Sequence, residues 1–161
     1  IEKLIQKYQL SPQSTVILRG SGGMAKAVVA AFKNAGFKQV KILARNTITG
    51  KYLADLYGYE HIENLHAEQA DILINVTPIG MAGGKEASDL AFPEAMIEQA
   101  KTIFDVVAMP ELTPFIQLAK AKGKQTISGA EVAVLQALEQ FELYTGIRPS
   151  EQLVAEAGAL F

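Results

Sequence analysis

No cysteine occurs in the 161 residues, which at once removes disulfides, a thiolate nucleophile and any cysteine-built zinc site. Histidine is nearly as scarce. His61 and His66 stand five residues apart, share no helix face and have no carboxylate at ligand spacing, so they read as surface histidines and no metal site is expected. No apolar run reaches the ~18 residues of a membrane span, and no secretory signal pattern occurs. The expected compartment is the cytoplasm, with no membrane partner. Excess charge of one sign is missing too: a formal net charge of −2 leaves no basic footprint for nucleic acid or an anionic surface. Ile1 rather than methionine opens the sequence, so a piece of a longer chain is expected.

Hydrophobic residues make up 49% of the chain, enough for a core, and 161 residues correspond to one domain. The most informative stretch is Ser14–Phe32. A β-branched run, Thr15–Leu18, stops at a glycine cluster, and an apolar stripe of Ala25, Val28, Val29 and Phe32 begins directly after it. The glycine cluster fits G-x-G-x-x-A, with Gly20, Gly22 and Ala25 at the three small positions. Strand, tight glycine turn and helix in that order suit a nucleotide pyrophosphate, because the backbone approaches closely and the helix N-terminus offers N–H groups.

The remaining pattern alternates strand and helix. Residues 1–10 place Leu4, Ile5 and Tyr8 on one helical face, and the helix after the glycine turn ends at Asn34-Ala35-Gly36. Gln39–Ala44 reads as a strand, Thr47–Tyr57 as a helix stopped by Gly58, and Glu60–Ile62 as a short strand. Asp71–Val76 and Thr102–Val107 are continuous apolar runs of the kind buried on both faces of a parallel sheet. Between them, Thr77 to Ala91 reads as a loop rich in proline and glycine. Thr113–Lys122 is a helix, Gln125–Ser128 a short strand, Glu131–Tyr144 a long amphipathic helix, and Ser150–Leu160 a last helix entered through Pro149. The sum is an α/β fold of Rossmann type: a doubly wound, mainly parallel sheet with helices on both faces.

Three further signals bear on chemistry. An acid at the end of the second strand would bind the ribose hydroxyls of NAD, but Leu43-Ala44-Arg45-Asn46-Thr47 carries none there. Arg45 can hold a 2′-phosphate, which favours NADP over NAD. At the exit of the Asp71–Val76 strand, Asn75 and Thr77 are placed to hydrogen-bond a ribose or nicotinamide group. Asp105, inside a buried-strand pattern, needs a partner and is either structural or turned to the site. Lys120, Lys122 and Lys124 read as a solvated helix end.

Taken together, these motifs resemble the cofactor-binding domain of the shikimate dehydrogenase family over about residues 14–146. The carriers are Gly20-Ser21-Gly22-Gly23-Met24-Ala25, Ala44-Arg45-Asn46-Thr47 and Asn75-Val-Thr77-Pro78-Ile-Gly80-Met81. Asp105-Val-Val, Thr113-Pro114-Phe115, Ser128-Gly129 and Gln136-Ala137 complete them. The resemblance implies reversible reduction of 3-dehydroshikimate to shikimate with NADPH, in aromatic amino-acid biosynthesis. It implies that Gly20, Ser21, Gly22, Gly23 and Met24 cradle the pyrophosphate and that Arg45, with Asn46, faces the 2′-phosphate. Asn75, Thr77, Val106 and Gly129 would lie on the nicotinamide side, and Gln136 would touch a shikimate-like polyhydroxy acid. The family's proton-transfer lysine and aspartate belong to an N-terminal substrate domain. The expected layout is therefore a linking helix in residues 1–12, the NADP-binding domain in 13–146 and a helix in 147–161 packing toward that missing domain. No catalytic residue is expected within the chain, which alone would be inactive. Ala108 stands where the family has a substrate-binding tyrosine, and Gly129-Ala130-Glu131-Val132 where it has Gly-Leu-Gly-Met, which suggests a divergent paralogue. A quinate-type dehydrogenase and a non-catalytic dinucleotide-sensing domain are the alternatives.

Overall fold

The computed structural model describes residues 1–66, 68–150 and 152–154. Six strands form one parallel sheet: β1 (Val16–Arg19), β2 (Val40–Leu43), β3 (Glu60–Ile62), β4 (Ile72–Asn75), β5 (Thr102–Asp105) and β6 (Gln125–Ile127). Their order is β3-β2-β1-β4-β5-β6, with every neighbouring pair parallel. The winding reverses between β1 and β4, the point at which such sheets open a crevice beyond the strands' carboxyl ends.

Alternation along each strand divides the core in two. Val16 and Leu18 of β1, with Val40, Ile42, Ile72, Ile74 and Phe104, face one layer; Ile17, Leu73 and Ile103 face the other. The first layer is covered by α1 (Glu2–Lys7), α2 (Gly23–Asn34), α3 (Thr47–Tyr57) and the start of α6 (Gly129–Thr145). The second is covered by α4 (Glu94–Gln99) and α5 (Pro114–Ala121). β4 and β5 are buried along their whole length, which is why they appear as unbroken apolar runs.

The helix ends follow local chemistry. Gly58 closes α3 in the left-handed conformation (φ 67, ψ 40), and Thr113 caps α5 ahead of Pro114 at the first turn. One element differs from the sequence reading, in which the segment after the Thr77–Ala91 loop carries no assignment. The chain there forms α4, only six residues long, entered through Pro93. So short a helix displays less than two turns of periodicity; burial of Met96 and Ile97 stabilises it.

One side-chain expectation is corrected. His61 is half-buried, not an exposed surface histidine: its ring packs where a Cβ on Gly50 would lie, and its Nε2 is buried with no hydrogen-bond partner. Lys122 is exposed at the end of α5, where it bridges Glu94 and Glu98 of α4. Most of the expected 147–161 helix lies outside the described residues; within them, the Ser150 hydroxyl accepts from the Leu153 N–H. No helix among the described residues is long and apolar enough to cross a membrane.

Asp71 joins the starts of three strands at the amino-terminal side of the sheet. Its carboxylate receives the Thr15 N–H at 3.0 Å and the Thr15 hydroxyl at 3.0 Å, and pairs with Lys101 at 2.8 Å. Lys101 first, then the Thr15 N–H, hold its pKa down at about 2. A carboxylate with a depressed folded-state pKa stabilises fully above its ordinary value and loses that contribution as the pH falls toward the folded value. We therefore expect Asp71→Asn to lower unfolding free energy by about 1–2 kcal/mol at pH 7. In urea titrations the difference from wild type should narrow as the pH falls from 3.8 to about 2.

Candidate cofactor site

The turn between β1 and α2 holds glycines of two kinds. Gly20 has φ 130, and a Cβ there would lie 2.7 Å from Val76 Cγ2 and 3.0 Å from the Val76 carbonyl oxygen. Its N–H donates to the Leu43 carbonyl at 2.7 Å, so the turn is drawn tight against both neighbouring strand exits. Glycine at 20 is thus demanded by the protein itself. Gly22 and Gly23 are not. Gly22 has an ordinary extended conformation (φ −78), neither residue is in the left-handed region, and a Cβ on either would meet nothing within 4 Å. Their contribution is open space over the start of α2. Gly22 caps that helix without a side chain, and no acid sits in the first turn. The first N–H groups, which have no partner inside a helix, therefore keep their positive end toward that space.

Beside the turn, the Ser21 and Thr49 hydroxyls share a hydrogen bond of 2.7 Å. Asn46 serves as the cap of α3, its Oδ1 accepting the Thr49 N–H at 3.1 Å. Arg45, at the end of β2, projects into solvent and donates from one nitrogen to both Glu86 oxygens, at 2.8 and 2.9 Å. Each charge reinforces the other: Arg45 holds the Glu86 carboxyl below its usual range, and Glu86 raises the guanidinium. Arg19, the last residue of β1, is half-buried and donates to the Ala91 carbonyl. Burial lowers its pKa, and it lies within electrostatic reach of both Glu86 and Arg45. Arg19, Gly20, Ala44, Arg45, Thr77 and Ile79 line a crevice of ≈ 370 Å³. Gly20, Arg45 and Thr77 are thereby brought together at the strand exits.

Asn75 lies beneath that crevice and not in it. It is fully buried, and its amide donates to the Ile79 carbonyl at 3.1 Å and to Asp105 Oδ1 at 3.0 Å. Its oxygen accepts the Thr77 N–H and hydroxyl at 3.1 and 2.6 Å. Every polar atom is spent inside the chain, so Asn75 shapes the turn that presents Thr77. Asp105 is structural by the same test. It also accepts the Val107 N–H at 3.1 Å and the Thr113 hydroxyl at 2.7 Å. Burial pushes its pKa up, and these hydrogen bonds oppose that rise.

Gly129 is buried at the start of α6, where a Cβ would fall 2.2 Å from the Val107 carbonyl oxygen and 2.5 Å from that of Val106. Its role is to let α6 abut the exit of β5, with half-buried Val106 between them. Gln136 and Met24 face a different groove, of ≈ 410 Å³, between α1, α2 and α6. Arg19 of the crevice, and Glu86, which pairs with its Arg45, escape sequence reasoning. Arg19 does carry a signal, a lone charge closing an apolar strand ahead of the glycines, whereas Glu86 sits in a loop 41 residues from its partner. Among the described residues no group of three or more histidine or acidic side chains could hold a metal ion.

Comparison with known proteins bears on this geometry. No family model matches the chain. A shikimate dehydrogenase-like protein of Haemophilus influenzae is 67% identical over 159 residues, covering 99% of this chain and 59% of that protein. Over the length it shares with them, this chain is homologous to shikimate dehydrogenase-like proteins and shikimate dehydrogenases. A solved structure of a shikimate 5-dehydrogenase-like protein superposes with a TM-score of 0.96 at 66% identity, over 98% of this chain and 59% of its own. The shikimate 5-dehydrogenase of Thermus thermophilus, solved with NADP(H) and shikimate, gives 0.80 at 26% identity, over 96% and 58%. The chain therefore spans about three fifths of these relatives. This likeness accounts for the Rossmann-type sheet.

The two kinds of glycine predict different outcomes on substitution. Gly20→Ala forces a left-handed backbone on alanine and a clash with Val76, and should cost about 2–4 kcal/mol in chemical unfolding. Gly129→Ala should be at least as damaging, because the obstructing atoms are backbone. Unchanged stability in either variant would contradict the packing described.

Proposed function

We propose that this chain is the cofactor-binding part of an NADP-dependent oxidoreductase that interconverts 3-dehydroshikimate and shikimate, or a closely related polyhydroxy acid pair such as that of quinate. The observation that carries the reading is the pair Gly22 and Gly23. No backbone angle and no neighbour requires glycine at either position, and both border the uncapped start of α2. Space reserved at a helix N-terminus suits a pyrophosphate. Arg45 and Arg19 stand on the side where a 2′-phosphate would lie, and Thr77 lines the same crevice beside Gly20.

The dinucleotide, when bound, supplies the hydride that adds to the substrate's carbonyl carbon. This chain's residues bind and orient it: Gly20 to Met24 hold the pyrophosphate, Arg45 the 2′-phosphate, and Thr77 with the Val106–Gly129 junction borders the nicotinamide. The proton that completes the alcohol is not assigned to Asp105, the buried acid at these strand exits among the described residues, because its oxygens hold the turns together. We assign that task to the remainder of the protein, for which the relatives have a further two fifths of length. In this arrangement residues 1–12 link the parts and 13–146 hold the cofactor, with Gln136 toward the substrate.

Titration with NADPH and NADH, followed by cofactor fluorescence, tests the reading. NADPH should bind more tightly than NADH, and Arg45→Asp should invert the order. Equal or absent affinity for the two would defeat it. Gly23→Ala should keep or slightly raise the melting temperature, since alanine is the better helix former. The same change should weaken NADPH binding at least about tenfold by filling the phosphate space. The 161-residue chain alone should bind without turnover, and activity should require the whole protein.

A further inference from the structure

The Arg45–Glu86 pair has a placement that folding does not explain. Arg45 is well exposed, at 78%, and Glu86 partly so, at 36%, and an ion pair of this exposure contributes little to stability. Yet its arginine lines the crevice that Arg19 also borders, on the carboxyl side of β2. The acid is not supplied by β2, where a dinucleotide site usually carries it. It arrives from the loop after β4, whose ends are fixed by Thr77 and by the Arg19–Ala91 contact. A carboxylate set against one guanidinium and within the field of a second has the charge and the paired oxygens that a phosphate offers those same groups.

We propose that Glu86 is an internal stand-in for the 2′-phosphate and sets how strongly the site prefers NADP(H) to NAD(H), a reading that rests on the dinucleotide assignment above. With Glu86 on Arg45, an incoming 2′-phosphate must displace a like charge before it gains the guanidinium. A ribose with a free 2′-hydroxyl meets no such conflict and finds in Glu86 an acceptor. The side chain can swing away while the loop stays in place, because the loop is held through the Glu86 backbone: its carbonyl accepts the Gly80 N–H at 2.9 Å. Glu86 is therefore a specificity-determining residue acting on Arg45, and it narrows the advantage that Arg45 alone would give NADP(H).

The test compares dissociation constants for NADPH and NADH in wild type, Glu86→Gln and Glu86→Lys, with thermal melting to verify that each variant is folded. Glu86→Gln should shift the NADPH-to-NADH affinity ratio toward NADPH by about tenfold, the scale of removing one nearby like charge at a solvated site. Glu86→Lys should shift it further in the same direction. Ratios within about twofold of wild type in both variants, with both cofactors binding, would overturn the proposal and leave the dinucleotide reading intact. Failure of wild type and variants to bind either cofactor would instead remove the dinucleotide reading, and this proposal with it.

Discussion

The hydrogen bond between Asn75 and Asp105 holds the functional end of this molecule in shape. The two residues face each other in register at the ends of β4 and β5, and both are fully buried. A buried carboxylate is costly unless donors surround it. Three do: the Asn75 amide, the Val107 N–H and the Thr113 hydroxyl. Each belongs to a different segment. One acid thus fixes the turn after β4, the exit of β5 and the cap of α5, and its need for partners is what makes the three converge.

Everything above that layer inherits its position from it. Asn75 orders Thr77 and Ile79, and through them the start of the Thr77–Ala91 loop. The loop is stitched further by Gly80 to Glu86 and by the Ala82 N–H to the Met109 carbonyl, and closed by Arg19 on Ala91. Glu86 therefore reaches Arg45 from a loop anchored in the buried network. The charge balance at Arg45 and the packing between β4 and β5 are parts of one connected structure.

How much of this was legible in the sequence follows from how far apart the interacting residues lie. The strands and the glycine turn could be read because burial imposes local patterns: β1, β4 and β5 are continuous apolar runs, and α2 repeats its stripe every three or four residues. Even the three-residue β3 left a trace. Helix α4 did not, since six residues after a proline show too little periodicity. Asn75 looked like a ligand because a polar residue at a strand exit often is one. Only its depth, which depends on Asp105 thirty residues on, reassigns it to the frame. His61 was misread for the same reason, its burial depending on Gly50 and not on its neighbours in sequence. Arg45 carries a local signal just after the β2 strand, whereas Glu86, which pairs with it, carries none.

Glycine and charge lead to the same conclusion by a common route. Gly20 and Gly129 are explained by what surrounds them, since a side chain on either would strike the chain's own atoms. Gly22 and Gly23 are not explained that way, nor is an exposed ion pair that adds little to folding. Gly22, Gly23 and the Arg45–Glu86 pair lie beyond the carboxyl ends of β1 and β2, while Asn75, Asp105 and Thr113, around the ends of β4 and β5, are accounted for by one another. The frame is thus set by what the chain needs to fold, and the proposed cofactor site rests on positions that this need leaves unconstrained.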